Sequence, residues 1–205
     1  MVTVVPFAGA VLTGGASRRM GSDKALLSVG GRPMAVVAAD ALRAAGAVSV
    51  TAVGGDAIGL RSVGLDWVTD SSPGEGPLGG LLAAMEALDS APVVVVLACD
   101  LPSASSANVI AVVDAVADLL GTPAAAVPVI DLPRGGRQRE WLHAAWTTEA
   151  RDVLRVAWAA GERAPRRAVA GLQVVEVSVP EPDALADADH PTDLPGQSGS
   201  DGPDR

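Results

Sequence analysis

The run from Pro92 to Ala98 is apolar without a break, four of its residues are consecutive valines, and it passes directly into Cys99-Asp100-Leu101-Pro102. Such a run has no polar face to turn toward water. It predicts a central parallel strand covered on both sides, which is the situation of strands in a layered α/β domain. Weaker strands are expected within 2–13, 48–53, 67–69, 124–130, 142–146 and, as an edge strand, 172–179. Between them, apolar residues recur at helical spacing: Val37, Ala38, Ala41, Leu42 and Ala45; Leu78, Leu81, Leu82, Met85 and Leu88; Val109, Val112, Val113, Val116 and Leu119; Val153, Leu154, Ala157 and Trp158. Pro33 suits the first turn of the first of these helices, and Gly46 its end. Strands that alternate with helices predict a parallel sheet with right-handed crossovers. The expected fold is α/β: one three-layer α/β/α domain over residues 1–194, with a mostly parallel central sheet and helices on both faces. Residues 195–205 are rich in Gly, Ser, Asp and Pro and are expected to form a disordered acidic tail.

Composition narrows the function. Apolar residues make up 49% of the chain and aromatics only 2%, so the core must be built from Ala, Val and Leu. A net charge of −9 argues against a general nucleic-acid surface. That charge is uneven: residues 181–205 hold seven acids and one Arg, leaving the body close to balance. A single cysteine, Cys99, permits neither an intramolecular disulfide nor a cysteine-rich metal knot. No apolar run reaches membrane-spanning length, and no charged n-region precedes the first apolar stretch. A cytoplasmic protein without nucleic-acid or membrane partners is expected.

In open parallel sheets ligands sit beyond the carboxyl ends of the strands. The chemistry-bearing residues fall there. The first strand ends in Gly14-Gly15-Ala16-Ser17-Arg18-Arg19-Met20-Gly21-Ser22-Asp23-Lys24. Small residues let backbone amides approach an anion, and Arg18, Arg19 and Lys24 add positive charge. The stretch is an anion cradle or a glycine-rich turn with solvated charges. It is not a Walker A loop, because Ser22-Asp23 separates Gly21 from Lys24, nor is it G-x-G-x-x-G. Asp56 and Asp70 follow the second and third strands. Asp70 could bond a ribose hydroxyl or base edge, or cap a loop. Asp100 follows the central strand, where a carboxylate is costly unless paired; it is the strongest candidate to hold Mg²⁺, which takes oxygen ligands, or else it caps the turn before Pro102. Asp189 could bring a second carboxylate or be tail charge. Cys99, His143 and His190 read as structural, and the tryptophans as core or rim packing. Arg134, Arg137 and Arg139 could hold an anionic acceptor or form a solvated loop.

These residues also match a known family. Leu12-Thr13-Gly14-Gly15-Ala16-Ser17-Arg18-Arg19-Met20-Gly21-Ser22-Asp23-Lys24-Ala25-Leu26 closely resembles the L-x-G-G-x-S-x-R-M-G-x-D-K-x-L signature of molybdenum cofactor guanylyltransferases, nucleotidyltransferases with a Rossmann-like glycosyltransferase-A fold. Asp70 precedes Gly76-Pro77-Leu78-Gly79-Gly80, similar to the family's G-P-L-x-G. Ala98-Cys99-Asp100-Leu101-Pro102 is similar to its C-D-x-P metal motif, and Asp189-His190-Pro191-Thr192-Asp193-Leu194 resembles its closing N-T-P-x-D-L. The chain departs from the pattern at three places. Gly54-Gly55 stands where an Asn contact is usual, Asp189-His190 replaces Asn-Thr, and Trp141-Leu142 replaces a Pro-Leu beside Arg139-Glu140.

The resemblance implies roles. Leu12, Thr13 and Gly14 would contact the guanine nucleotide. Gly15, Ala16, Ser17, Arg18, Arg19 and Gly21 would wrap the triphosphate, with Lys24 neutralising it. Asp70, Gly76, Pro77 and Leu78 would line the nucleotide, and Asp100 would bind Mg²⁺ and GTP. Arg19, Lys24 and Asp100 would carry catalysis of GMP transfer from GTP to molybdopterin. Other molybdenum-cofactor pathway proteins or apo-molybdoenzymes are the implied further partners. The alternatives are a cytidylyltransferase or another nucleotidyltransferase with a related phosphate acceptor, and a catalytically silent nucleotide-binding protein.

Overall fold

The computed structural model describes residues 5–14 and 24–188. Ten strands and six helices lie within them: β1 (Phe7–Leu12), β2 (Ser28–Val29), β3 (Arg32–Pro33), α1 (Met34–Ala44), β4 (Val50–Val53), α2 (Ala57–Ser62), β5 (Asp66–Val68), α3 (Pro77–Ala87), β6 (Val93–Ala98), α4 (Ser106–Val116), β7 (Ala124–Asp131), β8 (Arg137–Arg139), β9 (Ala145–Thr147), α5 (Ala150–Ala159), α6 (Pro165–Ala168) and β10 (Gln173–Ser178). β2 and β3 form a small hairpin. The other strands make one eight-stranded sheet in the order β10-β7-β9-β6-β1-β4-β5, with β8 against β7. β1 pairs in parallel with β4 and β6, β4 with β5, and β7 with β10, whereas β9 runs antiparallel between β6 and β7.

β6 is central, as its unbroken apolar run predicts. Val93, Val95 and Leu97 enter one core and Val94 and Val96 the other. β1 divides in the same way, with Phe7 and Val11 on one face and Ala8, Ala10 and Leu12 on the opposite one. α1, α2 and α4 cover the first face through Leu42, Leu60, Val109, Val112 and Val116; α3 and α5 cover the second through Leu78, Leu81, Met85 and Leu154. The three-layer α/β/α expectation is therefore met. Helices lie this close because side chains are small. At Gly9 an added Cβ would stand 2.9 Å from Leu42 Cδ1, so glycine there lets α1 settle on β1.

Local differences from expectation have physical causes. Pro33 sits at the N-cap of α1 and closes the β2–β3 hairpin, one step before the first helical turn. The expected strand at 142–146 starts later: residues 141–143 form a 3₁₀ turn, and only Ala145–Thr147 enters the sheet. Thr147 is fully buried there because its hydroxyl donates to Thr122 O (2.7 Å) and accepts from Ala124 N–H (2.9 Å). α2 was not foreseen; its six residues are too few to show a helical stripe.

The chain places β4 and β5 on one side of β1 and then crosses back to place β6 on the other. The sheet's switch point therefore lies between the carboxyl ends of β1 and β6. Leu12 is level with both Val53 and Ala98, and Val53 with Val68. This register lines up residues 13–14, 54, 69–70 and 99–100 along one rim.

Candidate functional site

Four strand ends meet tightly at this rim. The amides of Thr13 and Gly14 both donate to Val53 O (3.0 and 3.1 Å), and the Thr13 hydroxyl is shared between Val53 O (3.0 Å) and Gly54 O (2.8 Å). Trp67 Nε1–H also donates to Gly54 O, at 2.7 Å. A Cβ on Gly54 would meet Gly14 Cα at 3.0 Å and Asp70 Cβ at 3.2 Å, and Gly54 has φ +76°. Only glycine lets β1, β4 and β5 converge there. That is the physical role of the residue standing where the resembled family carries an Asn.

Asp70 faces Gly14 across this junction, and its Oδ1 accepts from Ser72 N–H at 2.9 Å, fixing the loop that leads to α3. Asp56 is a cap: its Oδ1 accepts from Ile58 N–H (3.0 Å) at the start of α2. At the other end of the rim, Cys99 N–H donates to Leu12 O, which leaves Asp100 projecting beyond the sheet. Lys24 Nζ lies 3.1 Å from Asp100 Oδ2 with its side chain only 9% exposed. The pair joins the residue that closes the glycine loop to the end of the central strand.

These groups line a cleft of about 310 Å³ that includes Leu12, Thr13, Gly14, Lys24, Asp70 and Asp100. Gly76 and Pro77 line it too. Gly76 (φ +112°) is required because a Cβ would stand 2.8 Å from Arg163 O, the carbonyl that receives Leu78 N–H. Leu78, also expected at the nucleotide, does not line this cleft. Its helical spacing with Leu81, Leu82 and Met85 turns it into the core, where it is fully buried. Gly15, Ala16, Ser17, Arg18, Arg19, Gly21, Asp189, His190 and the 195–205 tail lie outside the described residues.

A second cleft, about 510 Å³, shares Pro77, Ala98, Asp100 and Leu142 with the first. Its signs in the sequence are the Trp141-Leu142 departure and the arginines at 134, 137 and 139, read as a possible acceptor site or a solvated loop. Of the three loop arginines, only Arg139 borders it. Arg137 and Arg139 both grip Glu176 of β10 (2.7 and 2.6 Å), tying the β7–β8 hairpin to the sheet edge, and Arg134 reaches neither cleft. Glu140, Trp141, His143, Arg166 and Asp187 also border the second cleft. Burial pushes the Glu140 carboxyl up, against a lowering hydrogen bond from Gln138, and Asp187 adds to the rise. Burial likewise pulls His143 down to about 4, against the negative charge of Asp100.

Asp100 offers the hard oxygen donors that Mg²⁺ prefers, and it stands at the mouth of both clefts. Among the described residues no group of three or more His, Cys, Asp or Glu is assembled for a metal. A divalent cation held by Asp100 would complete its shell with phosphate oxygens and water, the pattern Mg²⁺ favours. The residues present fit that ion.

A cleft at the switch point of a mostly parallel sheet, with a buried lysine beside a strand-end carboxylate, is where an open α/β domain takes its ligand. The chain belongs to the MobA-like NTP transferase domain family, whose model matches residues 9–177. A probable molybdenum cofactor guanylyltransferase of Chloroflexus aggregans is 33% identical over 170 residues, covering 82% of this chain and 78% of the relative. The molybdenum cofactor guanylyltransferase of Xanthomonas euvesicatoria is 40% identical over 102 residues, and a probable one from Opitutus terrae 41% over 102. In these two alignments the chain spans about half the length of the curated relatives it matches. Among solved structures, molybdopterin-guanine dinucleotide biosynthesis protein A of Archaeoglobus fulgidus shares the fold with a TM-score of 0.68 at 22% identity, over 91% of this chain and 94% of that one. The 2-C-methyl-D-erythritol 4-phosphate cytidylyltransferase of Thermus thermophilus does so with a TM-score of 0.67 at 21% identity, over 90% and 94%. No helix among the described residues is long and apolar enough to cross a membrane.

Proposed function

We propose that this chain transfers GMP from GTP to the phosphate of molybdopterin, forming the guanine dinucleotide cofactor and releasing pyrophosphate. The observation that carries the reading is that Asp100 borders both clefts, with Lys24 beside it on the nucleotide side. A nucleotide in the first cleft and a phosphate acceptor in the second would meet at that carboxylate. The names of the relatives favour guanine and the molybdenum cofactor as the two partners.

An oxygen of the acceptor phosphate attacks the α-phosphorus of GTP. The bond from that phosphorus to the bridging oxygen breaks, and pyrophosphate leaves with the electron pair. No covalent enzyme intermediate is needed; the protein aligns the reactants and meets the charge that develops. Lys24 holds a positive charge against the triphosphate, and Arg19 would add a second. The amides of Thr13 and Gly14 are already spent on Val53, so wrapping of the phosphates falls to Gly15–Gly21. Asp70 orients the nucleoside end. Asp100 would hold Mg²⁺, which when bound neutralises phosphate oxygens and so eases attack and departure. The protein would work in the cytoplasm, where GTP is supplied.

The test is pyrophosphate release from GTP and molybdopterin. Release that needs both substrates and stops on chelation of divalent cations is the expected result. Absence of release with both substrates and Mg²⁺ present would leave the silent nucleotide-binding alternative.

A further inference from the structure

Glu140 is a half-buried charge on the wall of the second cleft. Its side chain is 18% exposed. One carboxylate oxygen accepts from Gln138 Nε2–H at 2.6 Å; the other lies 3.9 Å from His143 Nδ1, too far for a hydrogen bond. His143 Nδ1 is itself buried without a partner. Among the described residues no Lys or Arg reaches the carboxylate, and the adjacent Arg139 is committed to Glu176. A carboxylate held this far from water is costly unless N–H donors meet it. Beside it in the same cleft stands Trp141, an indole packed at a tilt against Trp146 with their ring centroids 6.2 Å apart.

A carboxylate next to an aromatic surface suits one class of ligand, a planar heterocycle that presents two adjacent N–H groups on one edge. The two oxygens match such an edge as they match a guanidinium, bidentately. We propose that Glu140 is the specificity-determining residue for the acceptor, reading the N–H edge of a 2-aminopyrimidinone ring laid against Trp141. This rests on the second cleft being the acceptor side of the reaction proposed above. It assigns ring recognition to Glu140 and leaves the acceptor's phosphate to the Asp100 end of the cleft.

The test compares binding of two probes to the full chain by calorimetry, without nucleotide: 6-hydroxymethylpterin monophosphate and its lumazine counterpart, in which a carbonyl replaces the 2-amino group. Wild type is expected to bind the pterin about tenfold or more tightly, the span of a hydrogen bond to a charged group. Glu140→Gln, nearly isosteric, should lose or invert that preference, and Trp141→Ala should weaken both probes alike. Equal binding of the probes by wild type, binding of neither, or a preference that survives in Glu140→Gln would overturn the proposal. Pyrophosphate release is measured separately. A preference without release would sink the transfer reaction and keep the ring site; release without a preference would do the reverse.

Discussion

Lys24 and Asp100 lie 76 residues apart in sequence and meet at 3.1 Å. Asp100 keeps a quarter of its side chain in reach of water, so loss of Lys24 leaves it solvated, whereas Lys24, 9% exposed, is enclosed and depends more on the pair. Lys24→Ala is therefore expected to stay folded and Asp100→Ala to lose some stability, and in both pyrophosphate release should fall by roughly 10²–10³ or more, the scale of losing one aligned charge at a reacting phosphate. Lys24→Arg should not rescue, since a planar fork does not fit where a compact ammonium is enclosed. Wild-type-like turnover in either alanine variant would remove both residues from the mechanism. His143 makes a different prediction. Its folded pKa, about 4, lies below the ordinary 6.5, so between those values the unfolded chain binds the extra proton. Stability must then fall as pH drops from 6.5 toward 4, by at most about 3 kcal/mol. Urea unfolding across that window should show a shallower pH slope in His143→Gln than in wild type; identical slopes would refute the burial argument. Single residues also mark how far sequence alone can go. Asp100 is visible because it ends the most apolar run in the chain, whereas nothing in the sequence says that Asp56 would cap α2 and Asp70 would face Gly14.

At the scale of elements, one wall of the first cleft is set by how α3 begins. Gly76 is pinned by φ +112° and by Arg163 O, while Gly80, one turn on, has only Leu12 methyls at 3.7 and 4.0 Å from where a Cβ would go. The two glycines of one motif should thus respond oppositely. Gly76→Ala is expected to cost roughly 1–3 kcal/mol through strain and to weaken nucleotide binding as the 70–77 loop shifts. Gly80→Ala relieves a mid-helix glycine and should be neutral or stabilising by up to about 1 kcal/mol. Chemical denaturation of both variants decides this; equal destabilisation would contradict the contact geometry. Arg163 reinforces the same junction, with its guanidinium 3.9 Å over the Trp158 ring and an ion pair to Glu75 at 3.3 Å. On the far side, Asn108 of α4 accepts from Glu181 N–H (2.9 Å) and donates to Glu181 O (2.7 Å), and Ala188 N–H donates to Asp100 O. The segment after β10 is thereby led to the Asp100 end of the rim. Helical periodicity found α3 and α4 within a few residues of their bounds, but these tethers join positions 73 and 88 residues apart and leave no local pattern to read.

Across the whole molecule, any ligand that binds only the folded state raises its stability by mass action, by about 2.7 kcal/mol at a hundredfold excess over Kd. A thermal-shift comparison of the four NTPs with Mg²⁺ should therefore single out GTP. Selective stabilisation by CTP would move the chain toward the cytidylyltransferases that share its fold. The sequence by itself determined the α/β class, the central place of β6, and four of the helices that lie between strands, α1, α3, α4 and α5. It could do so because burial on both faces of a strand, helical spacing and glycine at tight turns are properties of neighbours along the chain. The tertiary structure alone decided the rest: the antiparallel insertion of β9 between β6 and β7, the Lys24–Asp100 contact, and the second cleft with Glu140 on its wall. These depend on which strand ends come level when the chain crosses back over β1, and sheet order and register are fixed by packing between distant segments.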